Sequence, residues 1–364
     1  MNYIKERFKA LFQITSIEFR AAVLILISIA IVTSFKMALS KFNTTDIVPQ
    51  IQPINTKVIK EFGAFTVKVK TGMLIKNLPV FDIKNSKFQI DAIVWFVFNP
   101  DEITLQTVQK FSFDKCDNLR VSPPDIRKIE DKLFVKYNVL FTVKSDLNYH
   151  KFPFEDHKIA IMMSNDFVAP NEMYFMADNT SFQAAPEIFP ASWKLKDLNA
   201  EPGYMTLKFD KEDKTKTAQN PKVLFTINIE KTSIKKLLVL FIPLFVVAFF
   251  SLFAFLLSLG NTIGKFQLSI TALTALLGYR FVIEQIIPQV GYFTTTDNIY
   301  LLLLIMAFVS FLFQILCGRQ YEYFIRAHKD APESTLLFWK RLNSFAFLGI
   351  SLFFAISTVY IILN

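Results

Sequence analysis

The chain reads as an all-β domain of the sandwich type followed by a four-helix membrane bundle, with one extra hydrophobic helix ahead of both. Three observations predict this. Uncharged runs at 237–259, 299–317 and 344–363 each approach the ~20 residues that cross a bilayer core as a helix. Ahead of them, 41–232 is mixed and lysine-rich, with short alternating segments set between turn residues, which is the pattern of strands. A separate apolar run stands near the N-terminus at 21–35. A length of 364 residues leaves room for two or three such domains.

Residues 1–20 form a basic head, with Lys5, Arg7, Lys9 and Arg20 against Glu6 and Glu18. The hydrophobic segment 21–40 that follows is a signal anchor or a signal peptide. Ala38 and Ser40 fit a small-residue cleavage pattern, while the length of the head favours retention as an anchor. Both readings place the next domain outside the cytoplasm of a cell membrane.

In the β domain, strands are expected at 64–70, 73–75, 88–98, 133–143, 158–163, 205–209 and 223–229. Phe88, Ile90, Ala92 and Val94 fall on one face of their segment, and Val223, Phe225, Ile227 and Ile229 on one face of theirs. Several short strands without a strong helical pattern point to a sandwich. The hydrophilic run 210–222 reads as a long exposed hairpin, free to move. From 233 to 364 the spans are 237–259, 266–287, 299–317 and 344–363. The second carries Arg280 and Glu284, as expected of a helix facing protein or water rather than lipid. Five basic residues fall in 317–343 (Arg319, Arg326, Lys329, Lys340 and Arg341), and the turn 288–296 has none. The excess of positive charge on cytoplasmic loops gives the same orientation as the N-terminal head.

Several function classes are excluded. The net charge of +9 is spread along the chain with no basic run interleaved with aromatics, so no nucleic-acid partner is expected. Cys116 and Cys317 lie on different sides of the topology and form no disulfide framework. His150, His157 and His328 show no ligand spacing, and no phosphate loop or nucleophile motif appears. Neither an enzyme, nor a metal, nor a cofactor is expected.

Within the second span, Gln267, Thr271, Thr274, Gly278, Phe281 and Gln285 recur at helical spacings and share one stripe. A membrane helix with small and polar residues along one face is what a water-lined pore requires. It is also what a tight interhelical seam uses. Phe281, the bulky apolar member, is a candidate dewetting gate, and Arg280 and Glu284 form an i,i+4 pair off the stripe.

Phe152-Pro153-Phe154-Glu155 precedes the alternating segment Lys158-Ile159-Ala160-Ile161-Met162-Met163. With it, Val69-Lys70-Thr71-Gly72 followed by Asp82 and Phe88, Pro243 after Lys231, and Gly264-Lys265 through Pro288-Gln289 to Tyr292-Phe293-Thr294-Thr295-Thr296-Asp297 occur in that order. Over about 65–363 the chain resembles the pentameric ligand-gated ion channels, in particular the bacterial members without the Cys-loop disulfide. Ser145 and Ile159 stand where animal members place the bridging cysteines. Phe98 and Pro100 replace the usual Trp and Asp, and no retained N-terminal span belongs to the family pattern.

The resemblance implies a homopentameric channel gated by a small-molecule or proton agonist, with inorganic ions and membrane lipid as its other partners. The stripe then becomes the pore lining, Glu284 lies at the pore mouth, and Asp82, Phe152, Pro153, Phe154, Glu155, Lys231 and Pro288 form the interface that couples agonist to pore. Phe167, Tyr174, Phe175 and Tyr204 are the candidate agonist contacts by position, and Glu155 or His157 the candidate proton sites. No acid stands at 258–265 to form a ring at the cytoplasmic mouth, so charge selectivity is weakly encoded; no proline just precedes Gly264, where the family's anion channels carry one, which tilts the expectation toward cations. The alternative is a non-conducting membrane sensor or scaffold of the same fold, acting through its N-terminal segment and the loop 318–342.

Overall fold

A computed structural model describes residues 16–40, 42–54, 58–59, 66–209, 217–232, 234–327 and 333–363. The basic head up to residue 15 and most of the expected loop 210–222 lie outside the described residues. The chain divides into two compact units: Asn43–Asn148 with Glu155–Ser233, and Met1–Phe42 with Tyr149–Phe154 and Ile234–Asn364.

The first unit is β-rich. Its strands are β1 (Gln52–Pro53), β2 (Val67–Asp82), β3 (Lys87–Phe98), β4 (Phe111–Phe113), β5 (Cys116–Val121), β6 (Asp125–Ile129), β7 (Lys132–Lys144), β8 (His157–Asn165), β9 (Met173–Met176), β10 (Phe182–Ala184), β11 (Trp193–Lys208) and β12 (Thr217–Lys231). One sheet runs β1-β11-β12-β8-β4. The other is built on β2-β3-β7, with β9 and β10 along the free edge of β2 and β5 and β6 along that of β7.

Strict alternation places β3: Phe88, Ile90, Ala92, Val94, Phe96 and Phe98 are all buried, so a one-residue slip would turn this whole set to the other face. Rings from both sheets share the core. Phe113 stacks on Phe141 at 4.1 Å and 10°, and Phe182 lies 5.0 Å from Phe225. Gly72 is a steric requirement, because a Cβ there would sit 2.3 Å from the Ser181 carbonyl and 2.4 Å from the Trp95 ring.

Two expectations in this unit need correction. The segments 64–70 and 73–75 are one continuous strand within the described residues. The expected strand 205–209 is the end of a 16-residue one, β11, which pairs with β12 from Trp193↔Lys231 to Lys208↔Thr217. The connection is therefore much shorter than 210–222, since 217–222 belongs to the ladder.

The second unit is helical: α1 (Ile17–Ala38), α3 (Lys235–Phe253), α4 (Thr262–Ile286), α5 (Thr295–Ala327) and α6 (Glu333–Leu363), α2 being the short turn Leu105–Val108 of the β unit. Four of these, α1, α4, α5 and α6, are long and apolar enough to cross a membrane, which makes this a membrane protein. The expected span 237–259 ends early, at Phe253, and the chain turns through 254–257. At ~1.5 Å per residue the 19-residue α3 is still ~28 Å long, close to a bilayer core. Asn261 starts α4 by accepting from the Gly264 N–H at 3.0 Å. Ile287 stops it, being extended (ψ 142°) because Pro288 follows. The expected connection 317–343 is mostly helix: α5 runs ten residues past Cys317 and α6 starts before Ser344.

Candidate functional site

In the helical unit, α4 has two unlike faces. Lys265, Ser269, Ala272, Leu276 and Ile283 are buried against the rest of the unit. Gln267, Thr271, Thr274, Gly278, Phe281 and Gln285 are all exposed, Phe281 to 71%. The stripe read from the spacing is thus one continuous accessible face, opposite the packed one. A polar face of this kind is poorly solvated by hydrocarbon. Near its end, Arg280 Nε donates to Glu284 Oε1 at 3.0 Å and Nη1 to Asp297 Oδ1 at 2.7 Å. The expected i,i+4 pair is therefore present, and it extends across to α5.

The segment Tyr149–Phe154 joins this unit through backbone bonds. The His150 carbonyl accepts from Thr295 N at 2.8 Å and Oγ1 at 3.1 Å, and the Phe152 carbonyl from Thr296 N at 3.2 Å and Oγ1 at 3.1 Å. The His150 and Tyr292 rings stack at 3.9 Å, while Tyr149 N donates to Tyr292 Oη at 2.9 Å. The Phe152-Pro153 bond is cis, and the Phe154 ring lies 5.8 Å from Phe241. The Phe-Pro-Phe segment and the residues at the start of α5 are thus directly bonded. Pro288, at the head of the loop after α4, is buried.

In the β unit, Glu155, Asp156 and His157 are all buried at the start of β8. His157 Nδ1 lies 3.1 Å from Asp46 Oδ2, and Nε2 lies 3.8 Å from Glu155 Oε1. Asp46 also accepts from Asn148 N at 2.6 Å and Lys158 N at 2.7 Å. Asp156 ties Lys231 N to Asn43 N, each at 2.8 Å. The Lys231 ammonium lies 5.9 Å over the Trp193 ring.

Burial pushes the Glu155 carboxyl up to about 8. The nearby Lys231 cation opposes this, and the Asp46 and Asp156 charges add to it. Burial raises Asp156 as well, against hydrogen bonds from the Lys231 and Asn43 amides. The cluster therefore holds three carboxylates around one imidazole and one ammonium, with the Glu155 carboxyl held well above the ordinary carboxylate range by its burial. Asp46 and Trp193 were not singled out from the sequence. Neither lies in a motif, and only folding brings them to residues 155–157.

The Asp82 carboxylate closes the β2–β3 turn, accepting from Asn85 N at 3.1 Å and Nδ2 at 2.7 Å. The candidate agonist contacts divide in two. Tyr174 and Phe175 are 2% and 0% exposed, inside the core, so they are packing residues and offer no ligand contact as folded. Phe167 is exposed, with the Lys110 ammonium 4.7 Å over its ring, and Tyr204 is half-buried on β11. Ser145 Oγ accepts from Ala160 N at 3.2 Å; both cysteines of this chain, Cys116 and Cys317, are free. The chain matches no known family profile and no curated protein.

Proposed function

We propose that the protein is a homopentameric ion channel of the pentameric ligand-gated type, gated through its β unit by a small molecule or by protons. The observation that carries this reading is the exposed polar face of α4. One subunit leaves Gln267, Thr271 and Thr274 uncovered on a membrane helix, and a ring of five such faces around a water column gives them a polar environment. Phe281 on the same face supplies the hydrophobic constriction. The bonded contact between Tyr149–Phe154 and the loop after α4 supports a route from β unit to pore, because it fixes that loop relative to a segment continuous with Glu155. A preference for cations is carried over from the resemblance alone, since Glu284 lies off the stripe and is paired with Arg280 at 3.0 Å.

Two measurements test this. Size in detergent comes first: a monomer ends the channel reading, since one subunit cannot enclose a pore. Planar-bilayer recording follows, with steps of pH and panels of amines and acids. Currents evoked by one of these stimuli are expected; a silent pentamer across all of them favours the non-conducting sensor.

A further inference from the structure

In a bilayer, acyl chains solvate Leu and Ile about as well as neighbouring side chains do, so helix association rests on close packing and polar bonds. Helix α1 has both. Leu24, Ile27, Ile31 and Ser34, three or four apart, form its buried face. The Phe35 ring lies 5.1 Å from Phe241, 5.4 Å from Phe154 and 5.9 Å from Phe245.

One turn before Leu24, Arg20 is 6% exposed. Its Nη1 donates to the Phe255 carbonyl at 2.6 Å and its Nη2 to Ser344 Oγ at 2.6 Å. Phe255 lies just past the end of α3, where a helix leaves carbonyls without partners of their own, and Asn343 Nδ2 reaches the same oxygen at 3.0 Å. The guanidinium thus caps the broken end of α3 and grips α6 at once. A buried cation among apolar helices is costly and persists where it is bonded. Its two acceptors come from elements more than 200 residues away in the chain.

We propose that the face formed by α3 and α6 is a docking surface for residues 17–38 of the same chain. The segment stays on the mature protein as a fifth membrane helix, positioned by Arg20. Removal after Ala38 or Ser40 would strip this face and leave the Phe255 carbonyl without the Arg20 donor. The inference stands whether or not the protein conducts.

Intact mass of the full chain, purified from membranes and denatured, is expected to include residues 1–40; a start at Leu39 or Lys41 overturns the proposal. Thermal melting in detergent reads the Arg20 contact. Arg20→Ala is expected to lower the midpoint by several degrees, and Arg20→Ala with Ser344→Ala to go little lower, because the bond that Ser344 makes to Arg20 is already lost in the first variant. If Arg20→Ala does not accumulate, Arg20→Lys serves, because a point charge cannot hold both acceptors as the planar fork does; its midpoint should fall between. A parental midpoint in either Arg20 variant, or fully additive effects with Ser344→Ala, rejects the docking role.

Discussion

The two units treat their polar groups in opposite ways. In the β unit, several buried polar side chains are answered within the unit: Lys222, 3% exposed, donates to Asp114 at 2.6 Å, Asn220 to Asp166 at 2.8 Å, and Asp46 and Asp156 each collect backbone amides. In the helical unit, α4 leaves Gln267, Thr271, Thr274 and Gln285 exposed along one face, with no described residue covering them. The difference teaches where each unit's fold is complete. Residues Lys265, Ser269, Ala272, Leu276 and Ile283 of α4 are packed in its own bundle, whereas its opposite face is left exposed.

The largest effect that could break this comparison lies in the β core. Phe141 is fully buried and stacks on Phe113, so Phe141→Ala should cost ~3–5 kcal/mol through lost burial and the cavity left behind. Denaturant unfolding followed by tryptophan fluorescence reads it. A loss below ~1 kcal/mol would mean that the two sheets do not share a tight core.

Next in size is the titration of Glu155. Its folded-state carboxyl is held up to about 8 against an ordinary value of 4.5. The folded protein therefore binds a proton that the unfolded chain has released, and stability falls as pH rises from about 4.5 through about 8. Over that window the decline should be on the order of a few kcal/mol. Glu155→Gln, which cannot ionise, should flatten it, and thermal midpoints at matched pH values measure the difference. A parent whose midpoint is level across the window contradicts the buried-acid assignment.

The same cluster shows what was legible in the sequence. The Phe-Pro-Phe turn and its acid could be read because they are contiguous and aligned with other motifs. Asp46 lies 109 positions before Glu155 in a segment without regular structure, and no local pattern announces it. Among the strands, β3 and β7 were legible because alternation with burial on one face leaves a period of two. By contrast, β5 and β6 are almost wholly exposed edge pairs, so hydrophobic pattern had nothing to mark. The first half of β11 was hidden by Pro202 and Gly203, which read as a breaker but sit opposite Val223 and Lys222 in the ladder. In the helical unit, charge misled. Arg319, Glu322 and Arg326 looked like a loop, yet they extend α5, with Arg326 3.6 Å from Glu322 one turn earlier.

A smaller effect sharpens the picture of the cluster. Lys231 is the cation that holds the Glu155 carboxyl down, so Lys231→Ala should move the pH-dependent step to higher pH, with a coupling of ~1–2 kcal/mol to Glu155→Gln. A double-mutant cycle on the midpoints at pH 7 and 9 checks it. Independent effects would make Lys231 an ordinary surface charge.

The smallest expected effect on folding is also the one that bears most on function. Phe281 points away from its own bundle and is 71% exposed, so Phe281→Ala removes almost no contact within the subunit and should change the melting midpoint by less than ~0.5 kcal/mol equivalent. In a pentamer the same change takes five rings from a water column and weakens the constriction that dewets it. Leak current at matched protein density should therefore rise while stability stays level. This pairing separates the two uses of the stripe. If the face were a packed seam, truncating its largest side chain would destabilise the assembly without opening anything; if it lines water, conduction changes and the fold does not. Parental leak together with a lowered midpoint would assign the face to packing and remove Phe281 as the gate.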